Sequence, residues 1–307
     1  MRIGIMGTGG VGGYFGGLLA KAGHEVTFIA RGEHLKAIRS HGLKVESVNF
    51  ESFLIQPARA TDNPADVGEV DLILFVVKTY DTDSAAQLMR PMVGSQTTIL
   101  PLQNGVESVQ KLSRYFPKEN LIGGMTQALV SIDRPGVIKH EAQYRRIVCG
   151  ELNGRETTRL KTICDALKQA GVDAGMTTDI EKTLWTKLLH IAPFGGVACV
   201  TRSAIGSIRA DAEAFAMLRR AMAEVEAVAR AKNVAMDADV VEKATTFVNS
   251  LAPNSMPSIL RDVLAGKRSE YDALSGAVVR AGRETDTATP LHEFFWTCLK
   301  VMDSQSK

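Results

Sequence analysis

The chain of 307 residues has little of what marks a special compartment or partner. It has only four cysteines, Cys149, Cys164, Cys199 and Cys298, and no two of them form a C-x-x-C. That excludes a disulfide framework or a cysteine zinc site, and it reads as reduced, mostly buried thiols in a cytoplasmic protein. Six histidines form no H-E-x-x-H or other ligand spacing, so no metal is expected. The net charge is only +2, and no basic block or aromatic-interleaved stripe appears, so nucleic acid is not an expected partner. No apolar run is long enough for a membrane span. The N-terminus lacks the long apolar stretch and cleavage site of a signal peptide, so no membrane is expected either. What remains is 45% hydrophobic and long enough to build two domains with sizeable cores.

What is present starts at once. Residues 1–6 read as a short apolar strand, Gly7-Thr8-Gly9-Gly10-Val11-Gly12 follows, and a run with helical spacing continues to Ala22. This is a G-x-G-x-x-G turn in its required context, strand before and helix after. Gly7 suits the tight turn, Gly9 a close approach of backbone to a pyrophosphate, and Gly12 close packing of helix on strand. The helix N-terminus offers unpaired N–H groups and the positive end of its dipole to phosphates. Residues 24–30 form a second strand, which completes a βαβ start. A glycine-rich turn without a ligand is the competing reading.

The end of that second strand speaks to the kind of nucleotide. Chains that bind NAD usually place Asp or Glu there for the ribose 2′-hydroxyl. Here the position holds Arg31, followed by Gly32, with Glu33 one step further into the loop. A guanidinium binds a 2′-phosphate through two charge-assisted hydrogen bonds, whereas an acid repels it. The expected cofactor is therefore NADPH, the alternative being a solvated surface arginine.

Further strands are expected at 43–48, 52–55, 71–77, 97–101 and 121–124. The continuous apolar run at 71–77 is the sign of a parallel strand buried on both faces. Residues 137–141 and 146–150 read as a late antiparallel pair after the turn Asp133-Arg134-Pro135-Gly136. A helix over 157–171 and an edge strand over 172–176 close this half. From Asp179 strand signals vanish, and amphipathic helices are predicted at 180–200, 210–233, 237–251, 258–266, 270–283 and 290–302. Pro253, Asn254 and Pro257 mark a break, and 304–307 reads as frayed. The fold class is thus an α/β Rossmann-like N-terminal domain, residues 1–175, and an all-α C-terminal domain, residues 176–307. Such a pair leaves a cleft, and residues just after strands or on the cleft face of the helices are the candidates for chemistry.

Lys78 directly follows the buried strand and is placed to reach the nicotinamide side or a phosphate, unless it only snorkels. Gln103-Asn104-Gly105 ends the next strand, where an amide can hold nicotinamide or substrate, or simply turn the chain. Lys187 lies in the strongly apolar LWTKLL. A partly buried lysine loses charge stability and becomes a usable general acid near neutral pH. Glu270, in EYDALSG, is a candidate to orient that lysine or bind a substrate hydroxyl. Each of the last two, taken alone, also reads as an ordinary surface charge.

In order, GTGGVG, IAR, VVKTYDT, LQNGV, LWTKL and SEYDALSG resemble the ketopantoate reductase (2-dehydropantoate 2-reductase) family over nearly the whole chain. The resemblance implies an NADPH-dependent reduction of the 2-keto group of ketopantoate to pantoate, a step toward pantothenate. It also implies a helical domain like that of 6-phosphogluconate dehydrogenases. It assigns Lys187 as the catalytic proton donor and Glu270 as partner of the substrate hydroxyl. Ser258 becomes a carboxylate ligand, with Asp262 four residues on. Asn104 is placed near nicotinamide and substrate, Lys78 by the cofactor, and Arg31 on the 2′-phosphate. Glu270 also falls among the cofactor contacts, with the glycine turn from Gly7 to Gly12. A small-molecule 2-keto acid is the expected partner, and a homodimer is possible on the family pattern.

The chain departs from that pattern in three places. Two asparagines expected four and eight residues after the catalytic lysine are Ile191 and Gly195 here, and a glutamine three residues after Lys78 is Asp81. An isoleucine cannot hydrogen-bond the polar part of ketopantoate. Three readings therefore stand: a true ketopantoate reductase with polarity restored by His190, Thr201 or Arg202; a reductase of another, more apolar 2-keto acid; or a non-catalytic NADPH-binding regulatory protein. Retention of both Lys187 and Glu270 argues against the last.

Overall fold

A computed structural model describes residues 1–305. Two compact units divide the chain: Met1–Gln103 with Ser108–Ile180, and Asn104–Glu107 with the helices from Glu181 onward.

The first unit runs β1 (Arg2–Met6), α1 (Gly10–Lys21), β2 (Glu25–Ile29), α2 (Gly32–His41), β3 (Leu43–Ser47), β4 (Phe53–Ile55), β5 (Arg59–Thr61) and β6 (Leu72–Phe75). It continues with α3 (Thr82–Leu88), β7 (Thr98–Pro101), α4 (Ser108–Leu112), β8 (Gly123–Gln127), β9 (Val130–Arg134), β10 (Val137–His140), β11 (Arg146–Gly150), α5 (Thr158–Gln169) and β12 (Asp173–Met176). The main sheet has the order β5-β2-β1-β6-β7 and is parallel throughout. This is the Rossmann order, with β1 at the centre and its successors on both sides. All four residues of β6 are buried, as expected of a strand covered on both faces. Phe15, Phe28 and Leu74 fill the core on one side of the sheet, Ile73, Phe75 and Ile99 on the other.

Two smaller sheets correct one expectation. The strands over 137–141 and 146–150 do not pair with each other. β10 pairs antiparallel with β9 and parallel with β3, while β11 pairs antiparallel with β8 and parallel with β12. The hidden partner was β9, whose Ser131, Asp133 and Arg134 interrupt any apolar run and whose Ile132 is exposed. The short polar edge strand β5 was missed for the same reason. The strand expected at 121–124 lies at Gly123–Gln127, and Leu121 makes only an isolated bridge to Ile99.

The second unit contains α6 (Ile180–Thr201), α7 (Ile205–Ala210), α8 (Ala212–Ala231), α9 (Val240–Ser250), α10 (Ser258–Leu264), α11 (Ala277–Glu284) and α12 (Pro290–Ser304). The helix expected over 210–233 is preceded by α7, because the Asp211 carboxylate caps a new start by accepting the Ala214 N–H at 2.8 Å. The helix expected from 270 begins at Tyr271 and passes through a π-helical turn, Asp272–Gly276, before α11. Ser304 closes α12, with its hydroxyl donating to the Val301 carbonyl; residues 306 and 307 of the predicted frayed end lie outside the described residues. Trp185, Leu188, Leu189, Met222, Val278 and Phe295 lie in the core of this unit. No helix among the described residues is long and apolar enough to cross a membrane.

Candidate active site

The glycine turn closes β1 and opens α1. Gly7 has φ +104°, and a Cβ there would lie 2.8 Å from the backbone of Val77. At Gly12 a Cβ would come within 2.1 Å of the Gly7 carbonyl oxygen, so the turn itself requires that glycine. Gly10 faces the carbonyl of Val130 in β9, 2.7 Å from where its Cβ would be. Gly9 is different: nothing lies within 4 Å of its would-be Cβ. Protein packing does not demand a glycine there, and the open space over it fits a ligand that approaches the backbone closely. The buried Thr8 commits both its N–H and its hydroxyl to the Ile29 carbonyl, each at 2.9 Å, and ties the turn to the end of β2. The first N–H groups of α1 have no partner within the helix and point out of its N-terminus.

Arg31 follows β2 and caps α2, and its guanidinium lies 3.5 Å from the Asp81 carboxylate. Lys78, three residues past β6, is partly buried. Gln103 at the end of β7 donates through Nε2 to the Val77 carbonyl at 2.9 Å and to the Thr82 hydroxyl at 3.0 Å, which fixes both ends of the segment between them. Its buried Oε1 has no hydrogen-bond partner and remains an open acceptor. Open space over Gly9, the helix N-terminus beside it and this acceptor all fit a dinucleotide.

The second unit gathers Lys187, Asn104 and Glu270. Lys187 lies on α6 between the buried Trp185 and Leu188. Its Nζ donates to Oδ1 of Asn104 at 3.0 Å, and Asn104 Nδ2 donates to Glu270 Oε2 at 3.5 Å. The amide thus turns its oxygen to the ammonium and its NH₂ to the carboxylate. Burial pushes the Lys187 ammonium down to about 8, against the pull of the Glu270 charge in the other direction. Glu270 is itself buried.

What holds this row in place was not read from the sequence. Gly105 has φ +93°, and a Cβ there would lie 2.6 Å from the Ala273 carbonyl, so the segment carrying Asn104 lies directly on the π-helical turn. Arg280 of α11 grips Glu107 with two hydrogen bonds, of 2.8 and 2.9 Å, and also donates to the Asp272 carboxylate at 2.9 Å and the Asp272 carbonyl at 2.8 Å. Trp296 Nε1 donates to the same carboxylate at 3.1 Å. The segment Asn104–Glu107 and the turn that follows Glu270 are therefore clamped by one guanidinium. π-helical turns recur at functional sites, and this one directly follows Glu270. Asp272 stood two residues from a singled-out glutamate, which was the one available sequence signal.

The remaining candidates are spread out. Ser258 opens α10 and is exposed, and Asp262, one turn later, is partly buried. Burial, with the Asp262 charge adding to it, pushes the Cys199 thiol up to about 12. α10 meets α6 where Ile259 abuts Gly195: a Cβ on Gly195 would be 2.9 Å from Ile259 Cγ2. Ile191 packs against the core of this unit. The α6 face one and two turns beyond Lys187 is thus apolar. His190 bonds back to the Thr186 carbonyl at 2.8 Å and packs edge-on against Phe247, and burial keeps its imidazole below the usual range. Thr201 bonds back to Val197 and is, like Arg202, exposed, about 21 Å along the helix axis from Lys187 at 1.5 Å per residue. Thr201 and Arg202 are thus too far along the chain to supply polarity to that face, and one ring nitrogen of His190 is already bonded to its own helix.

A Rossmann sheet with a dinucleotide turn, joined to a helical unit holding a lysine of lowered basicity, defines an oxidoreductase of the nicotinamide-dependent class. Family models described as ketopantoate reductase PanE/ApbA and its C-terminal part match residues 3–154 and 179–303. The chain belongs to the ketopantoate reductase family. It is 30% identical to a 2-dehydropantoate 2-reductase of Halobacterium salinarum, over 95% of each chain. It is 27% identical to an uncharacterized oxidoreductase, YkpB, of Bacillus subtilis, over 99% of this chain and all of the other. The crystal structure of 2-dehydropantoate 2-reductase from Geobacter metallireducens superposes with a TM-score of 0.93 at 30% identity, covering all of both chains.

Proposed function

We propose that this chain is an NADPH-dependent 2-keto acid reductase, with ketopantoate as substrate, pantoate as product and Lys187 as general acid. The observation that carries this reading is the row of Lys187, Asn104 and Glu270. Bound NADPH supplies a hydride. The N–H groups at the start of α1 and the open space over Gly9 are its pyrophosphate cradle, Arg31 its 2′-phosphate ligand, and Lys78 a further cation nearby. Lys187 keeps one N–H on Asn104, which orients the ammonium. Its ammonium stabilises the negative charge that develops on the keto oxygen and then gives that oxygen a proton. Glu270 fixes the Asn104 amide in the orientation that serves the ammonium, and it is the acceptor for a substrate hydroxyl. Ser258, supported by Asp262, is the ligand for the substrate carboxylate. The four free thiols fit a cytoplasmic setting. A protein that only bound NADPH would need neither Lys187 nor Glu270.

One observation favours a second reading within the same chemistry. The face of α6 beyond Lys187 is Ile191 and then Gly195, closed by Ile259. It suits a 2-keto acid whose side chain is apolar and lacks a hydroxyl. NADPH absorbance followed with ketopantoate beside branched and straight 2-keto acids separates the two. Fast turnover confined to ketopantoate supports the first; turnover of an apolar 2-keto acid with little on ketopantoate replaces it with the second.

The lowered basicity of Lys187 gives the reaction a pH signature. The acid is the protonated form, so kcat/KM for reduction is expected to be flat below pH of about 8 and to fall about tenfold per pH unit above it. The reverse oxidation needs the neutral amine, and its rate is expected to rise through the same pH. A reduction rate that keeps its value well above pH 9, about one unit beyond that point, removes Lys187 from the role.

A further inference from the structure

The coenzyme cradle carries a charge that works against a 2′-phosphate. In the main sheet β1 lies between β2 and β6, all parallel, and the glycine turn is at its C-terminal end. Arg31 follows the same end of β2, and Asp81 lies past the same end of β6. Their ion pair at 3.5 Å therefore joins the two neighbouring strands across the mouth of the turn. Asp81 is firmly placed. Its N–H donates to the Lys78 carbonyl at 2.9 Å, and its carbonyl accepts from the Ser84 hydroxyl at 3.0 Å. The Thr82 hydroxyl donates to the Thr79 carbonyl at 2.8 Å, while Gln103 holds Val77 and Thr82 on either side. Arg31, by contrast, has a side chain 77% exposed on a long stem.

We propose that Asp81 is a coenzyme-selectivity residue. It holds Arg31 across the glycine turn and competes with a 2′-phosphate for that guanidinium, so the chain separates NADPH from NADH less sharply than Arg31 alone would. The proposal rests on the reading of Arg31 as the 2′-phosphate ligand. An exposed ion pair is weak, so a phosphate with its higher charge and bidentate geometry displaces the carboxylate. Its backbone is anchored, so the carboxylate swings only about its own short side chain and remains near the phosphate as a like charge. A coenzyme with a neutral 2′-hydroxyl meets no such repulsion.

Dissociation constants of NADPH and NADH for the intact chain, measured at low ionic strength, test this. Asp81→Asn is expected to raise the ratio of NADPH to NADH affinity about threefold to tenfold, and Asp81→Ala to do the same. The gain should shrink in 0.5 M salt, an ionic strength of about the order that screens exposed charges. A ratio that stays the same or falls in both variants overturns the proposal. Arg31→Ala, measured alongside, tells this failure from the failure of the cofactor reading. If Arg31→Ala lowers the ratio while the Asp81 variants leave it alone, only the selectivity role of Asp81 is lost. If Arg31→Ala weakens both coenzymes alike, the 2′-phosphate reading is lost and the proposal with it.

Discussion

Replacing Lys187 by alanine should lower kcat by at least ~10² with NADPH affinity little changed. The side chain lies between buried apolar residues of α6, so its loss removes a poorly solvated charge and leaves a small gap. The thermal midpoint should change little or fall, because relief of the buried ammonium is offset by the loss of the countercharge to the buried Glu270 and of the hydrogen bond to Asn104. Lys187→Arg is the sharper variant. A guanidinium keeps the positive charge beside Asn104 but does not give up a proton at any working pH. If proton donation is the main contribution of Lys187, arginine fails nearly as badly as alanine. If the charge alone matters, arginine recovers much of the rate. Normal turnover in Lys187→Ala would sink the proposed mechanism altogether.

The glycine spacing and the apolar run of β6 made the first unit legible, because a tight turn and a doubly covered strand each demand particular residue types. Sheet membership was not legible. β9 shows no apolar period, being exposed along much of its length, and without it the apolar patterns of β10 and β11 point to each other. In the second unit the helical period was clear, but the start of α8 turned on one cap, Asp211, and the turn after Glu270 on π-helical geometry that no spacing announces. The candidate site was readable as residue types after strands and in apolar helices. Its framework was not. Arg280 and Glu107 stand 173 positions apart, and nothing in either neighbourhood marks them as partners. The pair of Arg31 and Asp81 escaped for a related reason: its meaning depends on β2 and β6 flanking β1, which is a property of the sheet order.

Two glycines of one turn should respond oppositely to the same methyl group. In Gly12→Ala the new Cβ would meet the Gly7 carbonyl oxygen at 2.1 Å, with Ile5 and Val76 side chains at 2.8 Å. Backbone cannot yield there without opening the turn, so a loss of about 3 kcal/mol or more of stability is expected, with coenzyme binding lost as a consequence. Gly9→Ala meets nothing within 4 Å, and its φ of −81° with ψ of −161° is open to any residue. The chain should fold with its thermal midpoint lowered by no more than about 3 °C, the cost of a poorer helix cap. Coenzyme affinity should nevertheless fall roughly 10- to 100-fold, because the methyl occupies the space a pyrophosphate needs and costs one or two charge-assisted hydrogen bonds. Calorimetric unfolding beside coenzyme titration of both variants measures each effect separately. A Gly9→Ala chain that binds NADPH as tightly as the parent would mean that the space over Gly9 is not where the phosphates lie.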